Sequence, residues 1–233
     1  MAYKKYIKKP WLINWLSNLS IVGWLITINI IISTVSFIIF VSSPESINYL
    51  ALKPTNILHG RYLWTLVTHM FVHGGPFHLF INMFVLFSLG SLSEKIIGRK
   101  RFFWFYTISG IFAGIMAVIL PSLYGNTLLG ARILGKPDIF MVGASGAIFA
   151  IAGLFVMLLP KLRFMIIFLP FFSLPAYIMV PLVLFITWLA TIAGNFPIGN
   201  VAHFGGFLAG ILYGQYLRTK YKGKVAMLQK MFR

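Results

Sequence analysis

Three short stretches hold side chains able to do hydrolytic chemistry. Residues 143–146 read Gly-Ala-Ser-Gly, with Ser145 set among small residues. Residues 202–206 read Ala-His-Phe-Gly-Gly, and Gly210 follows four residues after Gly206. His78 and Asn82 are also four apart, which puts both on one helical face. A serine hydroxyl becomes a nucleophile when an adjacent base takes its proton, and histidine, which ionises near neutrality, suits that task. A serine at a helix start has unpaired backbone N–H groups and the positive end of the helix dipole beside it, which favours an oxyanion there. His78 and Asn82 can both donate hydrogen bonds to the same oxyanion. Each stretch also has a plain packing reading. Small residues line close helix contacts in membranes, and His or Asn side chains hydrogen-bond across helices or to backbone carbonyls.

Elimination narrows the chemistry. The acidic residues are Glu45, Glu94 and Asp138. One aspartate cannot form a facing aspartyl pair. Neither glutamate adjoins a histidine, as a His-Glu-x-x-His zinc site requires. Proton-coupled transporters usually bury carboxylates within their spans, and the sequence places none securely in one. The absence of cysteine removes thiol nucleophiles, disulfides and thiolate metal sites together. Serine with histidine is the main hydrolytic option left, with no metal or other cofactor expected. His69 and His73, four apart, have no third ligand of suitable type near and are read as loop packing. His59 carries no readable signal.

The elements that must position these residues are membrane helices. Hydrophobic residues make up 59% of the 233 and charged residues 10%, where a soluble domain has about 45–50% and about 25%. Six apolar runs are candidate spans: residues 21–41, 77–92, 102–120, 143–159, 174–193 and 201–217. The expected fold class is an all-α polytopic membrane protein, with residues 43–76 as a long interfacial outer loop between the first two spans. Pro121 and Pro160 are expected to stop the third and fourth runs, while Pro170, Pro175 and Pro181 blur the start of the fifth. The fourth run has about 17 residues, near the lower limit for crossing, so it must start inside the hydrocarbon or sit in a thinned bilayer.

The net charge of +17 is distributed unevenly. If all six runs cross, sixteen of the twenty lysines and arginines fall on one side. The positive-inside rule then puts both termini in the cytosol. The same clustering between apolar runs argues against a nucleic-acid partner. The chain divides into a basic leader over 1–20, a membrane domain over 21–217 and a basic tail over 218–233. The leader lacks the short apolar core and cleavage site of a secretory signal, so it is expected to be retained. A compact chain of this kind suggests a plasma membrane. Its oligomeric state is not readable.

Together, His-Leu-Phe-Ile-Asn over 78–82, Gly-Ala-Ser-Gly over 143–146, and Ala202-His203 with Gly206 and Gly210 resemble the rhomboid family. They fall in the second, fourth and sixth runs, in the family's order, and the resemblance covers roughly residues 21–217. It implies a six-helix intramembrane serine endopeptidase that cleaves the transmembrane segments of membrane-anchored proteins. By that likeness Ser145 attacks the scissile carbonyl, and His203 takes its proton in a dyad without a carboxylate. His78, Asn82 and the Ser145 N–H hold the oxyanion. Gly143, Gly146, Gly206 and Gly210 support the close backbone approach. Phe149 stands where members often have an aromatic packed on the histidine, with ordinary core packing as the alternative. Residues 194–200 would cap the site, and His69, His73, His78, Asn82 and Asn200 would line a water-filled cavity. One position departs from the family: members often have Trp-Arg in the outer loop, where this chain has Trp64-Thr65 with Arg61 nearby. Two other functions remain open, a non-catalytic rhomboid-like protein that binds client helices and a small-solute transporter. Retention of Ser145 and His203 speaks against the first, and the scarcity of intramembrane carboxylates against a proton-coupled form of the second.

Overall fold

The computed structural model describes residues 19–166, 169–194, 196 and 198–232. All but the last two residues of the basic leader lie outside them, as do Asn195 and Pro197 of the expected cap. The chain is mostly helical. Its main helices are α1 (Ile21–Ser42), α2 (Pro76–Ile97), α3 (Arg99–Tyr124), α4 (Ser145–Leu158), α5 (Ala176–Gly194), α6 (Asn200–Lys220) and α7 (Lys222–Met231). Four of them, α1, α2, α3 and α5, are long and apolar enough to cross a bilayer. Helix α4 is apolar but has 14 residues. At about 1.5 Å per residue that is roughly 21 Å, against a hydrocarbon core of about 30 Å. Helix α6 is long enough, but Asn200, His203, Gln215 and its glycines dilute its apolar character.

Several boundaries differ from the sequence expectation for physical reasons. Pro121 does not stop α3, which runs on to Tyr124. The proline sits in the final turn, where its missing N–H removes one hydrogen bond, and membrane helices tolerate such losses. Between α4 and α5 the chain forms an antiparallel hairpin of β1 (Arg163–Ile166) and β2 (Leu169–Pro175). Leu174 pairs with Phe164 in that hairpin, so α5 starts only at Ala176. Glu94 does lie inside a long helix, in the last turn of α2, and it is buried. Its carboxylate accepts from the Ile21 and Val22 N–H groups at 3.0 and 2.9 Å and faces Arg99 Nε at 3.6 Å. It therefore satisfies first-turn donors of α1 that the helix itself leaves unpaired.

The loop between α1 and α2 is tied into the core of the protein. It contains short helices at Ile47–Leu50, Pro54–Leu58 and Thr65–Thr68, yet Leu52 and Val72 are fully buried. Trp64 Nε1 donates to the Tyr49 carbonyl at 2.8 Å, and the Thr65 hydroxyl donates to the Tyr62 carbonyl at 2.7 Å. The Trp64-Thr65 pair thus closes the loop with its own bonds.

The core is built around α4, whose Ala150, Ile151 and Phe155 are fully buried. Helix α6 packs on α4 through glycine. A Cβ at Gly206 would overlap the Gly146 carbonyl oxygen, and one at Gly210 the Ala150 carbonyl oxygen. Only backbones without side chains approach this closely. Gly206→Ala is therefore expected to force the helices apart, at an overpacking cost of about 3 kcal/mol. Thermal unfolding in detergent checks this, with Gly223→Ala as control because a Cβ there meets open space. Equal melting of the two variants would mean that the contact is not tight.

Candidate active site

Ser145 is the first residue of α4, so its backbone N–H is one that the helix leaves unpaired. Three of the four residues before it are hydrogen-bonded to the outer loop. Leu52 and Met141 exchange two backbone hydrogen bonds, at 3.0 and 2.7 Å. The Gly143 N–H donates to the His69 carbonyl at 2.8 Å, and the Ala144 N–H donates to His73 Nε2 at 3.5 Å. Gly143 has φ +123°, which a side chain rarely adopts, and a Cβ there would stand 3.0 Å from His78 Cε1.

His203 lies in the first turn of α6. The glycine contact between α4 and α6 brings its Nε2 to 2.8 Å from Ser145 Oγ. The Phe149 ring stacks on the imidazole, with centroids 4.5 Å apart and planes inclined by 23°. If Nε2 accepts from the serine hydroxyl, a neutral imidazole carries its proton on Nδ1. That Nδ1 is buried and has no hydrogen-bond partner among the described residues.

His78 borders the same cavity as the serine. The Gly74 N–H donates to its Nδ1 at 3.3 Å, which leaves Nε2 as the protonated nitrogen. That nitrogen would lie 3.1 Å from a Cβ on Gly143, and Ser145 Oγ 3.6 Å from the same point. Asn82 is buried and donates one amide proton to the His78 carbonyl at 2.9 Å, which leaves the second free to donate. His69, His78, Asn82, Ser145, Asn200 and His203 all border one cavity of about 1130 Å³.

His73 does not line that cavity, contrary to expectation. It is buried behind it. Its Nδ1 faces Ser33 Oγ of α1 at 2.9 Å, and the Ser33 hydroxyl donates to the Phe71 carbonyl. His73 therefore donates to Ser33 through Nδ1 and accepts from Ala144 through Nε2, linking α1 to the residue before Ser145. Sequence reasoning missed this bridge. Its signal was the polar series Asn29, Ser33 and Ser36 at helical spacing within an apolar run, all three buried in the structure. Among the described residues no three His, Asp or Glu side chains gather as a metal site would need.

Burial holds His69 at about 4 and His73 at about 3, against 6.5 for a free histidine, and the nearby His78 lowers His73 further. A neutral His73 is what its acceptor role at Ala144 requires. Both values fall on folding, so the unfolded chain takes up protons first. Their contribution to stability is complete above about pH 6.5 and is lost as pH falls toward the folded values. Melting at about pH 7 and pH 5 is expected to differ by about 2 kcal/mol per histidine. His73→Gln should remove its share of that slope, and an unchanged slope would mean that His73 is not buried neutral.

Known proteins share the sequence pattern of most of this chain. The rhomboid domain family model matches residues 60–220. The chain is 28% identical over 161 residues to Rhomboid protein 1, mitochondrial, of Saccharomyces cerevisiae, covering 66% of this chain and 41% of that protein. It is 30% identical over 149 residues to the Presenilin-associated rhomboid-like protein, mitochondrial, of Homo sapiens, covering 63% of this chain and 36% of that protein. It is 32% identical over 170 residues to RHOMBOID-like protein 1 of Arabidopsis thaliana, covering 70% of this chain and 37% of that protein. The chain thus spans about two fifths of the length of the relatives it matches. With the family model matching most of the chain and apolar helices long enough to span a bilayer, this multi-pass membrane protein belongs to the rhomboid family.

Proposed function

We propose that the chain is an intramembrane serine endopeptidase that cleaves the transmembrane segments of membrane-anchored proteins. The observation that carries this reading is the 2.8 Å contact between Ser145 Oγ and His203 Nε2, made by two helices locked at glycine and open to a shared cavity. His203 takes the hydroxyl proton as Oγ attacks the scissile carbonyl carbon. The resulting oxyanion accepts from the Ser145 N–H, from His78 Nε2–H and from the second amide proton of Asn82. Collapse expels the amine, which leaves with the proton from His203. Water from the cavity then releases the acyl group by the same steps in reverse roles. Phe149 holds the imidazole plane. Gly146, Gly206 and Gly210 permit the close helix approach, Gly143 supplies the positive φ beside His78, and Phe196, Ile198, Gly199 and Asn200 line the cavity where a cap is expected.

In this reading α4 and α6 cross together with the four long apolar helices, giving six spans. A helix enclosed by neighbours needs no apolar outer face, which supports short α4 and polar-flecked α6 as inner spans. Both termini face the cytosol, as the distribution of lysine and arginine favours. The membrane we propose is a plasma membrane. The yeast and human relatives carry mitochondrial in their names, and imaging of the tagged chain decides between the two locations. Incubation of the purified chain with a labelled single-span substrate tests the activity itself. Two membrane-derived fragments are the expected products, and a substrate that stays intact with well-folded protein would overturn the reading.

A further inference from the structure

At the end of the bundle away from Ser145, three cations converge on one tyrosine. Arg101 Cζ in α3, Lys220 Nζ at the end of α6 and Lys224 Nζ in α7 lie 5.5, 5.8 and 5.9 Å from the Tyr221 ring centroid. Arg101 also donates to the Tyr221 hydroxyl at 3.4 Å, and Lys220 donates to the Tyr216 hydroxyl at 2.6 Å. An exposed aromatic face attracts a cation only weakly, while three like charges this close repel one another. No acidic side chain of the chain is placed to balance them. Glu94 serves α1 and Arg99, Asp138 pairs with Lys53, and Glu45 follows α1 at the other end of the bundle.

Helix α7 gives this cluster an apolar neighbour. Val225 is buried, Leu228 and Phe232 pack against the core, and Gln229 Nε2 donates to the Leu158 carbonyl that α4 leaves open at its end. Met227 and Met231 are exposed beside Lys222, Lys224 and Lys230. Apolar side chains exposed beside lysines on a short helix are the pattern of a helix lying in a headgroup layer.

We propose that Arg101, Lys220 and Lys224, with the Tyr216 and Tyr221 hydroxyls, form a binding site for the phosphate headgroup of an anionic phospholipid. Each hydroxyl accepts from a cation and keeps its own proton to donate to a phosphate oxygen. The guanidinium supplies a planar fork and the two ammonium groups supply point charges. At the rim of a multi-pass bundle the headgroup layer is the nearest dense source of phosphate. The site draws on α3, α6 and α7 and does not depend on the chemistry at Ser145.

Native mass spectrometry of the full chain in detergent, titrated with phosphatidylglycerol or phosphatidylcholine, tests this. Wild type is expected to retain one phosphatidylglycerol at concentrations where phosphatidylcholine is not retained. Each cation removed should weaken that binding about fivefold, so R101Q/K220Q/K224Q should weaken it on the order of a hundredfold. K95Q/K100Q/K161Q loses the same charge elsewhere and should change binding by less than about twofold. Lys224→Gln alone, at an exposed position of α7, gives the single step should the triple variant fail to fold. Equal retention of the two lipids by wild type would overturn the proposal. So would equal weakening in the two triple variants, an unaffected Lys224→Gln, or displacement of the lipid by millimolar inorganic phosphate.

Discussion

Ser145→Ala is expected to abolish cleavage of a single-span substrate, with a loss of at least about 10⁴-fold, while the protein remains folded. The size follows from the chemistry proposed for this side chain. Without Oγ there is no covalent acyl intermediate, and units of this kind lose nearly all their activity when one member is removed. The fold should survive because the change is small and local. Alanine is a good residue for the first turn of a helix, and the lost bond to His203 is worth on the order of 1 kcal/mol. The backbone N–H at position 145, His78 and Asn82 all remain, so any residual rate measures what the oxyanion donors do alone. Cleavage by Ser145→Ala at the wild-type rate would remove serine chemistry from this site. An uncleaved substrate for wild type and variant alike, with substrate still bound, would instead fit a non-catalytic member of the family.

How much of this was legible in the sequence depended on the kind of signal. The long spans were readable because each is a run of apolar residues with almost no charge, and α1 begins at Ile21 as expected. Ser145 and His203 were readable because polar side chains are scarce in such runs, so a serine among small residues and a histidine within an apolar run stand out. The glycines at 206 and 210 showed which face of α6 would be close to another helix, but not which helix would meet it. That required the three-dimensional contact with Gly146 and Ala150. The hairpin after α4 was hidden because Phe164 and Leu174 are as apolar as a span, and only pairing distinguishes a strand from a helix there. His73 was hidden for a related reason. Its partners, Ser33 and the Ala144 N–H, lie 40 and 71 residues away in sequence. Glu94 was discounted as a carboxylate at the edge of a span, although the free N–H groups of α1 were the group that called for it.

Replacing His203 is expected to have the second large effect, and two replacements separate its possible roles. His203→Ala removes the imidazole altogether. His203→Gln can still hydrogen-bond the Ser145 hydroxyl but cannot carry a proton between attack and leaving group. If the imidazole acts as a base, both variants should lose labelling of Ser145 by a fluorophosphonate by about 10³-fold or more. If it only orients the hydroxyl, His203→Gln should label nearly as fast as wild type, which would remove His203 from the role of base. The surroundings of the ring sharpen the test. Its Nδ1 has no partner among the described residues, so no carboxylate steadies the imidazolium that forms during attack. The ring that stacks on it is Phe149, whose π face attracts positive charge. Phe149→Leu keeps an apolar side chain of similar reach but loses that face, and should slow labelling about fivefold. A Phe149→Leu variant that labels at the wild-type rate would show that the ring only fills space, and the imidazolium would then have to draw its stabilisation from water in the cavity.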